Sequence, residues 1–356
     1  MKLDVPFIPD SEYTDYLAGL GDEIHAVHFS LYDPELSDAR IRLQSIDIET
    51  LIALLGKLAA PRKYLLANGR FHRPDRYGPN GGSALLIDRI ERLRSSGVLD
   101  GVIFSDAYLL LSLSDAAPDL AGRLEAVPSV NFGMDSIQKV RSVLDLIRQS
   151  RFRMPGKIAL DRSVNRDPAA LSGLAGTVGH LCPEAKVELL VNEGCLPQCP
   201  FRRTHEALIA CANAGMPVDS LRLNRDLGCM RLLSRSPHLI LASPFIRPED
   251  MRHYKGQAAV FKICGRTLGK AFLMRAISAF REEKYVGNLF DLLDASHWMA
   301  AEWELRNEGL PEDFHRRLST CDRQCNGCSA CREMFLRFAR PRPFHLPDFA
   351  RQNQSG

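Results

Sequence analysis

Eight short β-rich apolar runs alternate with helix-periodic segments through the first three quarters of the chain, and this alternation constrains the fold more than any other feature. The strand-like runs are 2–7, 24–31, 63–68, 101–105, 124–130, 157–161, 186–192 and 258–263. Between them, segments such as 48–58, 84–94, 136–149 and 168–181 place apolar residues at three- and four-residue steps. Alternation of this kind implies βαβ units and a parallel sheet. Eight strands within the first ~265 residues match an α/β fold of the (β/α)8 TIM-barrel-like type, whose usual length is ~250 residues. A doubly wound open sheet is the competitor. No G-x-G-x-x-G follows any of the runs, which removes the main argument for a dinucleotide fold.

The spacing breaks once. Strand seven is expected to end near Asn192 and strand eight to begin near Ala258, which leaves an insertion over 195–257. Connections that leave the C-terminal strand ends of a barrel build its active-site face, so an oversized loop there reads as functional. The expected organisation is a barrel over 1–267 that includes this insertion, followed by a helical extension over 268–356. The extension opens with an amphipathic helix over 268–283 and continues helically through Trp298 and Trp303. Its last segment, 340–356, is proline-rich and polar and is expected to pack loosely.

None of the ten cysteines lies before Cys182. The N-terminus lacks a charged region followed by an apolar one, and no stretch reaches the roughly 18 apolar residues of a spanning helix. A cytoplasmic location is therefore expected, where clustered thiols mean metal or catalysis. Cys321, Cys325, Cys328 and Cys331 form a C-x3-C-x2-C-x2-C run within eleven residues, and Gly327, Ser329 and Ala330 allow a compact turn. Thiolates are soft ligands suited to zinc and to iron–sulfur clusters. A cluster is preferred, because structural zinc sites usually separate two C-x2-C pairs by a dozen or more residues. The first three tail cysteines share the spacing of radical S-adenosylmethionine enzymes, but they follow the whole barrel and Gly327 stands where an aromatic is usual. The tail therefore reads as an auxiliary or electron-transfer cluster.

A second constellation lies at the expected mouth. Cys195 and Cys199 follow strand seven, Cys229 lies in the insertion and Cys264 ends strand eight, so a barrel brings the four together as a ligand set. Cys182 and Cys211 fall on helix-like patterns and read as small buried hydrophobes, with either still open as the fourth ligand.

The stretch Val187–Cys195, the segment Asn224–Cys229, the run Ser243–Met251 and the run Phe261–Thr267 before a helix resemble the collagenase-like U-32 peptidase family in order and spacing over residues 1–290. Two departures lie at the mouth: Cys264 replaces the family's Glu, and Glu193-Gly194 replaces its His-Gly. The resemblance implies a (β/α)8-like barrel with a [4Fe–4S] cluster held by four cysteines near the insertion. It also implies oxygen-independent hydroxylation of ubiquinone precursors or RNA bases, with prephenate as oxygen donor, and a homologous partner chain. With the tail run, two [4Fe–4S] clusters are expected, one cluster being the open alternative. No H-E-x-x-H, G-x-S-x-G or Cys/His dyad marks a protease.

Polar residues at the expected strand ends supply the remaining candidates. Asp161 and Glu193 are acid–base candidates, their pKa values tunable in a dry site. Asn68, Arg70, Asn131, Arg162, Asn192 and Arg266 are candidates for substrate binding, the arginines through bidentate contacts to a carboxylate. The bland alternative is that such residues cap helices and pair with one another. His28, His72, His205, the loop 68–82 and Arg202–Arg203 are weaker candidates. The net charge of +3 is too mild to indicate nucleic acid, although RNA modification stays open. The expected function is an iron–sulfur oxidoreductase-like enzyme acting on a small organic substrate with an electron donor. A non-catalytic iron–sulfur scaffold is the alternative from another class.

Overall fold

In the computed structural model, residues 2–32, 38–40, 45–77 and 83–343 are described. All eight expected strands form, within a few residues of their expected ends. The first half runs β1 (Lys2–Pro6), α1 (Ser11–Leu20), β2 (Ile24–Phe29), α2 (Ile48–Gly56), β3 (Arg62–Ala67), α3 (Ala84–Ser95), β4 (Gly101–Phe104) and α4 (Ala107–Ala116). A single turn, α5 (Pro118–Ala121), leads to β5 (Glu125–Pro128), α6 (Ile137–Gln149), β6 (Lys157–Ala159), α7 (Pro168–Leu181) and β7 (Lys186–Leu190). The insertion carries α8 (Arg202–Asn213), α9 (Ser220–Asp226) and α10 (Cys229–Arg235) before β8 (Val260–Lys262) and α11 (Gly269–Arg281). Side-chain oxygens of Asp10, Asp47, Asp106, Ser136 and Asp167 accept from the first free amides of α1, α2, α4, α6 and α7, which fixes where each helix starts.

Every pairing within the eight-stranded sheet is parallel, in the order β5-β4-β3-β2-β1-β8-β7-β6. The ring is nearly closed by the segment before β6: the Ala126 amide donates to the Arg153 carbonyl at 3.1 Å, and the Arg153 amide donates to Leu124 at 2.9 Å. The architecture is the expected (β/α)8-like barrel.

Strand residues alternate between two faces, and the two faces differ in chemistry. Outward residues such as Val5, Val27, Leu65, Val102, Ile158, Leu189 and Phe261 join the helices in the main core. α11 belongs to that core as well, through Phe272, Leu273, Ala276 and Ile277. Inward, Ala26, Tyr64, Leu66, Ile103 and Val127 form a small apolar cluster on one side of the barrel. Across from it lies a layer of charged residues around His28. Asp4 accepts from His28 Nδ1 at 2.9 Å, from Lys262 Nζ at 3.0 Å and from Lys157, while Lys157 also donates to Glu188 at 2.5 Å.

A second hydrophobic core unites the insertion with the C-terminal extension. Leu196, Leu233, Ile240, Leu241 and Phe245 from the insertion pack with Phe290, Met299, Phe314 and Phe335. The extension is less helical than expected. Beyond α11 it holds 3-10 turns at Leu289–Leu292 and His297–Ala301, so Trp298 lies in a turn. Trp303 starts β9 (Trp303–Leu305), which pairs antiparallel with β10 (Ala339–Pro341). A β-branch-poor segment becomes a strand here because the partner is supplied from afar, by the chain after α12 (Phe314–Ser319) and α13 (Ala330–Phe338). The segment expected to pack loosely thus begins with a strand, and its residues 344–356 lie outside the described ones.

Candidate functional site

The C-terminal strand ends and the insertion enclose a cavity of about 770 Å³. Its floor is the barrel interior, with Leu66, Ile103, Val127 and Leu190 on the apolar side and His28, Glu188 and Lys262 on the charged side. Its walls include Cys195, Cys199, Cys229 and Cys264, the four thiols expected at the mouth. Cys195 and Cys199 lie within electrostatic reach of each other, and Cys229 within reach of Cys199. Cys264 faces the same space, but its charged neighbours are Asp294, Glu193, Arg40 and Lys262.

Local backbone chemistry sets these thiols in place. Gly194 has φ +74°, and a Cβ there would overlap Ser296 Oγ, so the turn that presents Cys195 accepts only glycine. Gly265, at φ +118°, lets Phe272 close against the turn after Cys264. Asn192 pins the two strand ends together. Its amide donates to the carbonyls of Cys264 at 3.1 Å and Leu292 at 2.9 Å, while its oxygen accepts from the Cys264 amide at 2.7 Å. Burial, then neighbouring carboxylates, pushes the Cys264 thiol up to about 12, and burial also raises Cys195 and Cys229. A bound cation or metal is what would hold such thiols as thiolates.

The other two loose cysteines are accounted for. Cys182 is buried and donates to the Pro155 carbonyl at 3.8 Å, whereas Cys211, expected to be buried, is only half-buried on α8, away from the cavity lining.

Arginines ring the mouth, each next to a carboxylate. Arg162 pairs with Glu193 at 2.6 Å, Arg202 donates to Asp161 at 2.7 Å, and Arg40 donates to Asp294 at 2.7 Å. Arg266 donates to Ser30 and Asp38. Several donors nevertheless stay without a protein partner: Nε and Nη2 of Arg162, Nε of Arg202, Nε of Arg266 and Nε1 of Trp298. Arg162 is 4% exposed, so its free guanidinium edge is a buried donor aimed at no protein acceptor.

The expected site residues separate on this geometry. Arg162, Glu193, Arg266, Asn68 and Asn131 line the cavity. Asn68 accepts from the Ala39 amide at 3.2 Å and donates to Ser129 at 3.4 Å. Asn192 instead clamps the strand ends, and Arg70 lies outside the lining, donating to the Asn131 carbonyl at 3.4 Å. Asp161 caps the turn Arg162–Arg166 by accepting from the Ser163 amide at 2.8 Å. Burial would raise its pKa, but Arg202 and Ser163 outweigh that and leave it below the ordinary value. His205 lines the cavity and His72 does not; loop 68–82 lies partly outside the described residues.

Sequence reasoning missed the floor. Asp4 carries no motif, and Glu188 and Lys262 fall inside the stretches Val187–Cys195 and Phe261–Thr267 without any motif that marks them as site residues. Their signal was a charged residue between apolar neighbours within a strand run. Asp4 is an ionised acceptor for the Nδ1–H of His28, which leaves Nε2 as the acceptor nitrogen. Burial, then the Lys262 charge, lowers the His28 pKa to about 3, so the imidazole is neutral at neutral pH.

The chain is 32% identical over 248 residues to the uncharacterized protease MJ1657 of Methanocaldococcus jannaschii, a U32-family protein, and the alignment covers 68% of this chain and 67% of that one. The chain belongs to the U32 peptidase family. Of solved structures, the U32 peptidase Mk0906 superposes on 62% of this chain and 80% of its own, at 16% identity and a TM-score of 0.45. No family model matches the chain. No helix among the described residues of this U32 protein is long and apolar enough to cross a membrane.

Proposed function

We propose that this U32 protein is an iron–sulfur enzyme that binds a small carboxylated organic molecule in the barrel mouth. One observation carries the reading: Cys195, Cys199 and Cys229 gather in the cavity that also holds the buried, unpartnered donors of Arg162. Among the described residues, no three His, Cys, Asp or Glu side chains converge on a single ion position. A cubane cluster differs from one ion in that its thiolates sit at separate corners, so a spread set of soft ligands suits it. Cys195, Cys199 and Cys229 would hold the cluster, and Cys264 faces the same space as the expected fourth ligand. Bound there, a [4Fe–4S] cluster supplies one-electron chemistry.

The chain's own residues then have distinct tasks. Arg162, with Arg202 and Trp298, binds and orients a carboxylate through charge-assisted hydrogen bonds. The apolar floor of Leu66, Ile103 and Val127 takes the body of the molecule and excludes water. His28, held by Asp4, accepts or returns a proton at Nε2. Oxygen-independent hydroxylation, which the family resemblance implies, is the proposed reaction class, with a carboxylated organic molecule as the oxygen donor.

The test is anaerobic purification with iron and acid-labile sulfide counted per chain. Iron with sulfide in the wild type, and loss of about four irons in a Cys195→Ala/Cys199→Ala variant, is expected. Arg162→Ala should weaken binding of small mono- and dicarboxylates by about 10- to 100-fold in titration calorimetry. Peptide hydrolysis is the second reading, favoured by the relative's description as a protease. An unchanged iron content in the double variant, together with peptide cleavage by iron-free protein, would replace the cluster reading with that one.

A further inference from the structure

Cysteine is among the residue types most often buried. The tail run departs from that habit: Cys321, Cys325 and Cys328 are exposed, and Cys331 is half-buried, all of them free thiols. A core role cannot account for three exposed cysteines in one eleven-residue stretch.

The loop that carries them is built rather than loose. The Arg323 amide donates to Cys321 Sγ at 3.4 Å, an N–H···S contact of the kind that supports thiolate ligands in metal loops. Arg323 itself takes φ +61°, a backbone state that non-glycine residues seldom adopt. Its guanidinium donates to the Arg166 carbonyl at 3.2 Å and ties the loop to the connection after β6. The Cys328 amide closes a turn onto the Cys325 carbonyl at 3.3 Å, and the Gln324 amide donates to Asp322 at 3.0 Å. Cys331 lies in the first turn of α13, whose Met334 and Phe335 are packed in the second core. One end of the run is thus fixed by packing and the other by Arg323. Gly327, between them, has no neighbour that a side chain would meet. Four thiols on so short an anchored loop can swing onto one centre at small cost in chain entropy.

We propose that Cys321, Cys325, Cys328 and Cys331 form a four-thiolate metal centre of their own, separate from the barrel mouth. The ligand is a thiophilic centre, an iron–sulfur cluster or a zinc ion. The spacing within one run, without two separated pairs, favours the cluster. Metal binding links the folding of the extension to metal, because the liganded run holds α13 against the second core. The proposal does not depend on the mouth reading.

The test uses the full wild-type chain, purified anaerobically and exposed under native conditions to iodoacetamide before peptide mapping. Three exposed thiols have no burial to shield them, so only a ligand can protect them. Protection of Cys321, Cys325 and Cys328, lost after acid or chelator treatment, is the expected result. Prompt alkylation of all three in untreated protein overturns the proposal. Metal analysis of Cys325→Ala/Cys328→Ala, beside Cys195→Ala/Cys199→Ala, separates the two sites. The tail variant should lose a share of metal that the mouth variant keeps, and equal metal in the tail variant and wild type overturns the proposal. Iron with sulfide in the lost share identifies a cluster, and zinc identifies a structural ion; either supports the four-thiolate centre.

Discussion

Protonating His28 should cost the folded state much of its stability in acid. The ring is 5% exposed and faces Asp4, Lys262 and Lys157 inside the barrel. Burial, then Lys262, pushes its pKa down to about 3, against the opposing pull of Asp4. An unfolded histidine titrates near ~6.5. The folded value is the lower one, so between ~6.5 and ~3 the unfolded chain binds a proton that the folded chain refuses. Stability contributed by neutral His28 is therefore whole above that window and is lost as pH falls through it. The slope for one proton is about 1.4 kcal/mol per pH unit, and over roughly 3.5 units the loss is on the order of 5 kcal/mol. His28→Gln keeps a donor for Asp4 and removes the titration. Urea unfolding of both proteins from about pH 7 to pH 4 gives the difference in stability between them, which should shrink or reverse by about 1.4 kcal/mol per unit. Burial pushes Glu188 up to about 7, which acts with the opposite sign: its contribution falls as pH rises from 4.5 toward 7. That term is shared by both proteins and cancels in the difference. Parallel curves for wild type and His28→Gln would refute the reasoning.

Two further outcomes follow from the same interior. Asp4→Asn leaves the buried Lys157 and Lys262 short of a carboxylate, and a loss of about 3–5 kcal/mol is expected in urea unfolding. Gly194→Ala forces a side chain into the Ser296 hydroxyl at a left-handed backbone position. It should destabilise by roughly 1–3 kcal/mol and lower the iron content at the mouth, whereas Gly173→Ala, in open space on α7, should do neither.

The barrel was legible in the sequence because the outward face of most strands is apolar, and the helices between them repeat at 3.6 residues. Those signals are local, carried by runs such as Val102–Phe104 and by α7, whose start Pro168 and its Asp167 cap mark directly. The grouping of Cys195, Cys199, Cys229 and Cys264 at one cavity was also legible, since strand ends of a closed parallel barrel meet at one face whatever their separation in sequence. Tertiary structure alone decided what the polar residues do. Asp161 accepts from Arg202 and from the Ser163 amide and so caps a turn, and Asn192 clamps the strand ends at Cys264; the Arg202 and Cys264 contacts join segments far apart in sequence. Trp303 became a strand because Ala339–Pro341 returns beside it from the far end of the extension. The Asp4–His28–Lys157–Glu188–Lys262 layer formed from five strand residues, four of them charged and His28 neutral, each flanked by apolar residues or glycine. A charge inside a strand has no meaning until the barrel closes and brings its counter-charge across the interior, and that closure is a property of the whole fold.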